Sequence, residues 1–197
     1  MSAQAHTLPR PRSRAVRGQD RPVSWLPRRL RKLVLVVHVA VSVAWLGLSL
    51  GLLTLGATAL LTSDATLRRS AYLAMNVFGE VLVLPVSLTA FASGLVLALG
   101  TKWGLTRHWW VLVKFVLTAV PVVLTIFSLR PGLAAVAEAA VTMSDAELIA
   151  EGVGPDGINM VVAPSVASTM YLTSTALSIL KPWGRTPWAR RRAAARG

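Results

Sequence analysis

The chain has 197 residues, of which 54% are hydrophobic and 15% are charged, and it contains no cysteine. The lack of cysteine excludes disulfides, thiolate metal sites and thiol redox chemistry. The net charge of +13 is concentrated at the two ends, since 15 of the 21 Lys and Arg residues lie before position 33 or after position 180. Apolar runs between basic ends are typical of a membrane bundle and not of a soluble domain.

Both ends of the chain are predicted to be basic cytoplasmic tails. Residues 1–32 are rich in Arg, Pro and Ser and have no hydrophobic periodicity, which is typical of a disordered segment. Residues 181–197 form a second basic tail. We expect both tails to attract anionic lipid head groups at the bilayer surface. Neither contains a recognisable nucleic-acid-reading module, so no nucleic-acid partner is predicted.

Four apolar segments reach the roughly 20 residues that a helix needs to cross a bilayer. Cytoplasmic loops carry an excess of Lys and Arg, and placing both ends inside gives that side most of the basic residues. The sequence therefore predicts an all-α integral membrane four-helix bundle, with both termini cytoplasmic, in a bacterial plasma (inner) membrane. The predicted spans are 33–61, 71–99, 109–129 and 158–180.

The segment between the third and fourth spans, 130–157, is predicted to be an outer loop with helices of its own. Its first half is rich in alanine. Ser144 and Glu147 have the spacing of a capping box, in which each residue bonds the backbone of the other at a helix start. Gly152 is predicted to end that short helix.

Polar residues within the spans are predicted to face the bundle interior, because a polar group exposed to lipid is costly. Lys114 shares a helix face with Thr118, and Glu80 lies on the polar face of the second span. The axial gap between Glu80 and Lys114 is roughly 9 Å, much of which a lysine side chain can span, so one interpretation is an ion pair between them, either direct or bridged by water. Both are candidate catalytic residues, and a purely structural role in neutralising two buried charges stays open.

His38 in the first span is a candidate haem ligand, since a neutral imidazole inside a helical bundle commonly binds haem iron. The alternative is a histidine hydrogen-bonded to a neighbouring serine or carbonyl. His108 is a weaker candidate for a second ligand. It lies about 9 Å closer to the membrane surface than Lys114, and about 120° around the helix from the polar face that contains Lys114. No metal site is predicted, because cysteine is absent and the methionines form no cluster.

Two further patterns concern packing. Gly47 and Gly51 have the spacing that lets two helices approach closely, so they are predicted to pack helices or to pair protomers in a homo-oligomer. Trp103, Trp109 and Trp110 are interpreted as anchors at the membrane–water boundary.

The first three spans resemble a group of uncharacterised small bacterial integral-membrane proteins of the actinobacterial type. The resemblance depends on His38 followed by Trp45-Leu46-Gly47 and on residues 82–118, with their characteristic residues Pro85, Gly94, Trp103-Gly104-Leu105, His108-Trp109-Trp110 and Lys114. This group is distantly similar to CopD-type copper proteins and HemJ-type protoporphyrinogen oxidases. The resemblance implies haem b bound through His38 and a functional lysine at Lys114.

Two functional classes stay open from the sequence. The favoured one is a non-enzymatic membrane component or small transporter with a polar bundle interior. The alternative is a haem-binding redox membrane protein, with His38 as axial ligand and Lys114 contacting a propionate or an anionic substrate. In that case the chain is a haem-dependent membrane oxidoreductase.

Overall fold

The computed structural model describes residues 26–101, 103–150 and 152–195, without the side chains of residues 192 and 193. The predicted tail residues 1–25 and 196–197 lie outside the described part of the chain. Within the described ranges, the regular secondary structure is helical. The α-helices are α1 (Arg28–Leu61), α2 (Ala65–Phe78), α3 (Leu84–Gly100), α4 (Trp109–Leu124), α5 (Arg130–Thr142), α6 (Asp145–Ala150), α7 (Gly154–Leu180) and α8 (Pro187–Ala194).

Two wider, π-helical turns join consecutive helices without a break. Gly79–Val83 connects α2 to α3, and Thr125–Leu129 connects α4 to α5. The chain therefore has four continuous helices that are long and apolar enough to cross a membrane, and these indicate a multi-pass membrane protein. They are Arg28–Leu61, Ala65–Gly100, Trp109–Thr142 and Gly154–Leu180. The predicted all-α class is confirmed.

The first two helices begin earlier than the predicted spans. Pro27 precedes α1, and the Arg31 amide already donates to the Pro27 carbonyl oxygen at 2.9 Å, so residues 28–32 are helical and not part of an irregular tail. Asp64 caps α2 by accepting hydrogen bonds from two backbone amides, those of Thr66 and Leu67. These local signals start each helix before the apolar run begins.

The third helix does not end at residue 129, where the predicted span ends. It continues through Arg130 and Pro131 to Thr142, because a proline is tolerated when the preceding turn is wide enough to remove the clash with its ring. α6 follows with the predicted capping box, in which Ser144 and Glu147 exchange backbone hydrogen bonds of 2.8 and 3.3 Å. The fourth helix begins at Gly154, four residues before the predicted 158–180 span.

The four long helices form a ring in which neighbours pack side by side. α1 packs against α3 and α7, and α4 completes the ring by packing against the same two helices. At one end, Leu26 lies against Gly100, and the Thr186 amide donates to the Arg107 carbonyl at 3.0 Å. We call this the basic end (26–32, 101, 103–108 and 181–195). The opposite, distal end contains residues 62–64, 143–150 and 152–153.

The most tightly packed core lies toward the distal end. Ala59, Met75, Val136, Ala140, Leu148 and Met160 are completely buried there. Arg68 crosses the top of this core, donating to the carbonyl oxygens of Leu148 and Thr62, both at 2.7 Å. A guanidinium that satisfies the last carbonyls of two helices fixes how those helix ends meet.

We predict that Gly56→Ala destabilises the bundle, whereas Gly47→Ala does not. A Cβ at position 56 would lie 2.5 Å from the Met160 carbonyl oxygen on α7, but nothing lies within 4 Å of a Cβ at position 47. Overpacking of this kind costs about 1–3 kcal/mol. Thermal unfolding in detergent, followed by circular dichroism, measures both variants, and equal unfolding temperatures would contradict the close approach of α1 and α7.

Candidate functional site

A cavity of about 950 Å³ occupies the half of the bundle near the basic end, and we call it the central cavity. This volume is at the upper end of the range for small-molecule and cofactor pockets. All four long helices contribute to its lining, which is mostly apolar. The polar lining residues within the bundle are His38, Ser42 and Ser49 from α1, Lys114 and Thr118 from α4, and Tyr171, Ser174, Thr175 and Ser178 from α7.

Lys114 reaches into the central cavity from α4 and bonds a hydroxyl on the neighbouring helix. Its Nζ donates to Ser178 Oγ, and the Ser178 hydroxyl donates in turn to the Ser174 carbonyl at 3.0 Å. Thr118 Oγ donates to the Lys114 carbonyl at 2.9 Å, so the predicted polar stripe of α4 is present. Ser178 is a neutral partner, and the ammonium charge therefore has no anionic partner within hydrogen-bond distance in the described part of the chain.

The predicted ion pair between Glu80 and Lys114 is wrong. Glu80 instead accepts two hydrogen bonds from Arg130, at 3.1 Å from Nε and 2.5 Å from Nη2. Arg130 is available because the third helix continues past residue 129. Gly79 also packs directly against Leu133, which brings the two π-helical turns to the same level. The sequence analysis predicted helices in 130–157 but placed them in a separate outer loop, and it missed that the first of them continues the third span through Arg130.

His38 lies against α3 and lines the central cavity. Its Nδ1 is 3.1 Å from the Ala90 carbonyl oxygen and 3.0 Å from Ser93 Oγ. Gly94 leaves room for this ring, because a Cβ at position 94 would lie 2.9 Å from His38 Cε1 and would force a shift. A carbonyl only accepts hydrogen bonds, so Nδ1 carries the proton and the lone pair of the neutral ring is on Nε2.

His108 does not join His38 in the central cavity. It is the residue before α4, its Nδ1 lies 2.8 Å from the Trp103 carbonyl oxygen, and it does not line the cavity. Its ring packs edge-on against Trp103, with centroids 5.3 Å apart. Trp103 and Trp110, interpreted from the sequence as interfacial anchors, do line the cavity, and the sequence contains no signal that separates the two roles.

The charged side chains that line the central cavity are, among the described residues, all basic. Arg31 and Lys32 from the start of α1 join Lys114 in its lining, which contains no acidic residue among the described side chains. The sequence analysis assigned Arg31 and Lys32 to a tail and so missed them. The described acidic residues lie elsewhere, at Asp64, Glu80, Glu138, Asp145, Glu147 and Asp156. Among the described residues, no group of three or more His, Asp or Glu is placed to hold a metal ion.

A second, smaller cavity of about 150 Å³ continues from the central cavity toward the distal end. Trp45, Ser49, Pro121 and Ala167 line both cavities. Trp45 is buried and packs with Ala90 and Val122, and it is the largest of the side chains that the two linings share. Ser49, Thr125, Ser128 and Asn159 give the smaller cavity polar groups as well.

The four long apolar helices indicate a multi-pass helical membrane protein. Its central cavity has a mostly apolar lining in which the charged side chains, among the described residues, are all basic. The chain matches none of the protein-family models, the curated proteins or the solved structures with which it was compared. Its function is therefore inferred from the central cavity and from the residues around it.

We predict that Glu80→Lys lowers the thermal stability of the bundle and that adding Arg130→Glu restores it. The first change places two like charges at the joint between the π-helical turns, and the second recreates the pair with reversed signs. The matched control is Glu80→Lys with Lys114→Glu, which we expect not to restore stability. Thermal unfolding of the four proteins measures this coupling, and rescue by the Lys114 change would contradict the structure.

Proposed function

We propose that this chain is a non-enzymatic multi-pass membrane protein that binds an anionic solute inside its bundle, as a small transporter does. The observation that carries this proposal is Lys114, whose side-chain partner is a serine hydroxyl and whose cavity has no acidic residue among the described side chains of its lining. A lysine inside a membrane-spanning helix is costly unless it finds a counter-charge or water. An anion in the central cavity supplies that counter-charge.

The connection between the two cavities favours a transporter over a static scaffold. The central cavity reaches the basic end at Arg31 and Lys32, and the smaller cavity extends from Trp45 toward the distal end. Alternating access works by gating one part of a bundle against another around a fixed binding site, and Trp45 is the bulkiest side chain that the two linings share. In this proposal Trp45 is the gate and Lys114 holds the solute on the basic side.

The basic end is proposed to face the cytoplasm of a bacterial plasma membrane. Seventeen of the 21 Lys and Arg residues then lie on that side, and three lie on the other, at Arg68, Arg69 and Arg130. At this end Trp109 stacks on Trp188 of α8, with ring centroids 5.7 Å apart, and α8 also contains Arg190 and Arg191. Such a helix is suited to contact anionic lipid head groups.

A homo-oligomer through Gly47 and Gly51 is a further proposal, now restricted to one of the two glycines. A Cβ at Gly51 would lie 3.8 Å from the Phe78 ring of the same chain, whereas Gly47 faces open space. Gly47 is therefore the position at which a second protomer could approach closely.

We predict that Lys114→Met strongly weakens anion binding while Lys181→Met leaves it unchanged. Lys181 is the matched control, because it lies outside the cavity lining and over the Trp103 ring, with Nζ 5.4 Å from its centroid. Inorganic phosphate and decyl phosphate are titrated into protein in nanodiscs. Binding is followed by thermal stabilisation and by the fluorescence of the cavity tryptophans.

The wild-type protein is expected to bind at least one of these two anions, and Lys114→Met is expected to weaken that binding by about 30-fold or more. Equal binding by the wild type and by Lys114→Met, or no binding of either anion by folded wild type, would overturn the proposal. Loss of binding in Lys181→Met as well would move the anion site to the surface of the basic end.

A second candidate is haem binding through His38, favoured by the hydrogen bond from its Nδ1. Because Nδ1 donates to the Ala90 carbonyl, the Nε2 lone pair is available, which is the arrangement that metal-bound histidines commonly show. Haem is a flat, largely apolar group that carries two propionates. The central cavity has the volume for such a group, its described lining contains no acidic side chain, and Lys114 would pair with a propionate. When bound, haem would supply one-electron chemistry. A second histidine ligand from His108 has no support in its position.

We predict that, if haem binds, the purified protein shows a Soret band that His38→Ala removes and His108→Ala preserves. The protein is expressed with haem precursor, and absorption spectra are recorded in the oxidised and reduced states. A flat spectrum from folded wild type eliminates this candidate. It leaves the anion-binding proposal standing.

A further inference from the structure

The wall of the central cavity that α1 forms is not closed from the side. Leu35, Val39 and Val43 line the cavity, yet their side chains are 50%, 52% and 59% exposed. Around α1 these residues lie about 60–140° from His38, whose ring packs against α3. The lining residues on α3 and α4, by contrast, are buried or half-buried. The cavity therefore opens sideways past α1, at a level where α1 is apolar.

The other edge of this opening is α7. Thr175 lines the cavity and is exposed, and α7 is the second neighbour of α1 in the ring. Toward the distal end the same two helices touch, since Gly56 meets the Met160 backbone. Pro164 lies between these two levels of α7, and a proline inside a helix commonly bends it. α1 and α7 thus meet at the distal end, whereas at the level of the central cavity each helix contributes exposed residues to the lining.

The level of the opening places it inside the hydrocarbon layer. Val43 lies 11 residues after Lys32, which is about 16 Å along the helix and near the middle of a core about 30 Å thick. Lys114 is five residues after Trp109, so it lies about 7–8 Å inside the membrane–water boundary at which Trp109 is placed. A molecule entering from the lipid would therefore meet apolar side chains at the opening and a cation farther inside, closer to the basic end.

We infer that the central cavity takes an anionic amphiphile, a molecule with one acidic head group on a single apolar chain, which enters from the lipid between α1 and α7. This inference rests on the proposed function and names its substrate class. The head group binds Lys114, with Arg31 and Lys32 adding positive potential at the mouth. The chain extends along Val39 and Val43 toward the opening.

Charge and polarity both favour this class over a small soluble anion. A soluble ion would use the basic end alone, and it would gain nothing from an apolar wall or from an opening into lipid. Phe91 on α3 and Phe115 on α4, whose ring centroids lie 5.5 Å apart with the rings tilted by 41°, give the cavity an apolar surface suited to a hydrocarbon chain. A carboxylate and a phosphate both satisfy the ammonium group, so the head group is defined here by its negative charge.

The test narrows the opening and leaves the lysine in place. Val39→Trp puts a large side chain at the edge of the opening. Val37→Trp is the matched control, two residues away, because Val37 is 38% exposed but does not line the cavity. Decyl phosphate, decanol and inorganic phosphate are titrated into the wild type and both variants in nanodiscs. Empty nanodiscs provide the partition background.

We expect wild type to bind decyl phosphate at least about tenfold more tightly than inorganic phosphate or decanol, since both the charge and the chain contribute. Val39→Trp is expected to weaken decyl phosphate binding by about tenfold or more, with Val37→Trp within about twofold of wild type. Equal affinity for decyl phosphate and inorganic phosphate, with both lost in Lys114→Met, would overturn the amphiphile and keep the anion site. Unchanged binding in folded Val39→Trp would overturn the lateral entry.

Discussion

The half of the bundle near the basic end depends on how it accommodates one buried positive charge. Lys114 lies inside an apolar four-helix bundle, and its side-chain partner is a serine on α7. No acidic side chain is present in the described lining of the cavity around it. A charge in that position is tolerated where water or an anion can reach it. The open volume, the cationic mouth and the hydroxyls of α1 and α7 all serve that requirement.

The two halves of the bundle meet different physical demands. Toward the distal end, small residues such as Gly56 and Gly79 bring helices into direct contact, and Arg68 joins helix ends across a fully buried core. Toward the basic end the helices separate around the central cavity. The π-helical turns, with the ion pair between Glu80 and Arg130, lie at the junction. A rigid distal half can hold the separated helices at fixed distances, which a binding site needs.

The sequence predicted the helical class, the four long apolar helices and the inward position of His38 and Lys114, because these follow from hydropathy and a 100° helical period. It failed where local backbone geometry decided the outcome. The wide turn at Thr125–Leu129 carries the third helix past Pro131, and so Arg130, and not Lys114, reaches Glu80. Helical periodicity assumes a regular α-helix and therefore cannot predict a π-helical turn. Nor could it reveal how closely α1 and α7 approach each other, which depends on the contact between Gly56 and Met160.

The most direct test of the central claim observes the lysine itself. The chain contains four lysines, at positions 32, 102, 114 and 181, so ¹⁵N-lysine NMR gives a small set of side-chain signals, and Lys114→Met identifies the one from Lys114. Decyl phosphate is titrated into labelled protein in nanodiscs. The account predicts a saturable shift of the Lys114 Nζ signal, with Lys181 unchanged. A Lys114 signal that stays in place at saturating ligand, with only the exposed lysines responding, would contradict it.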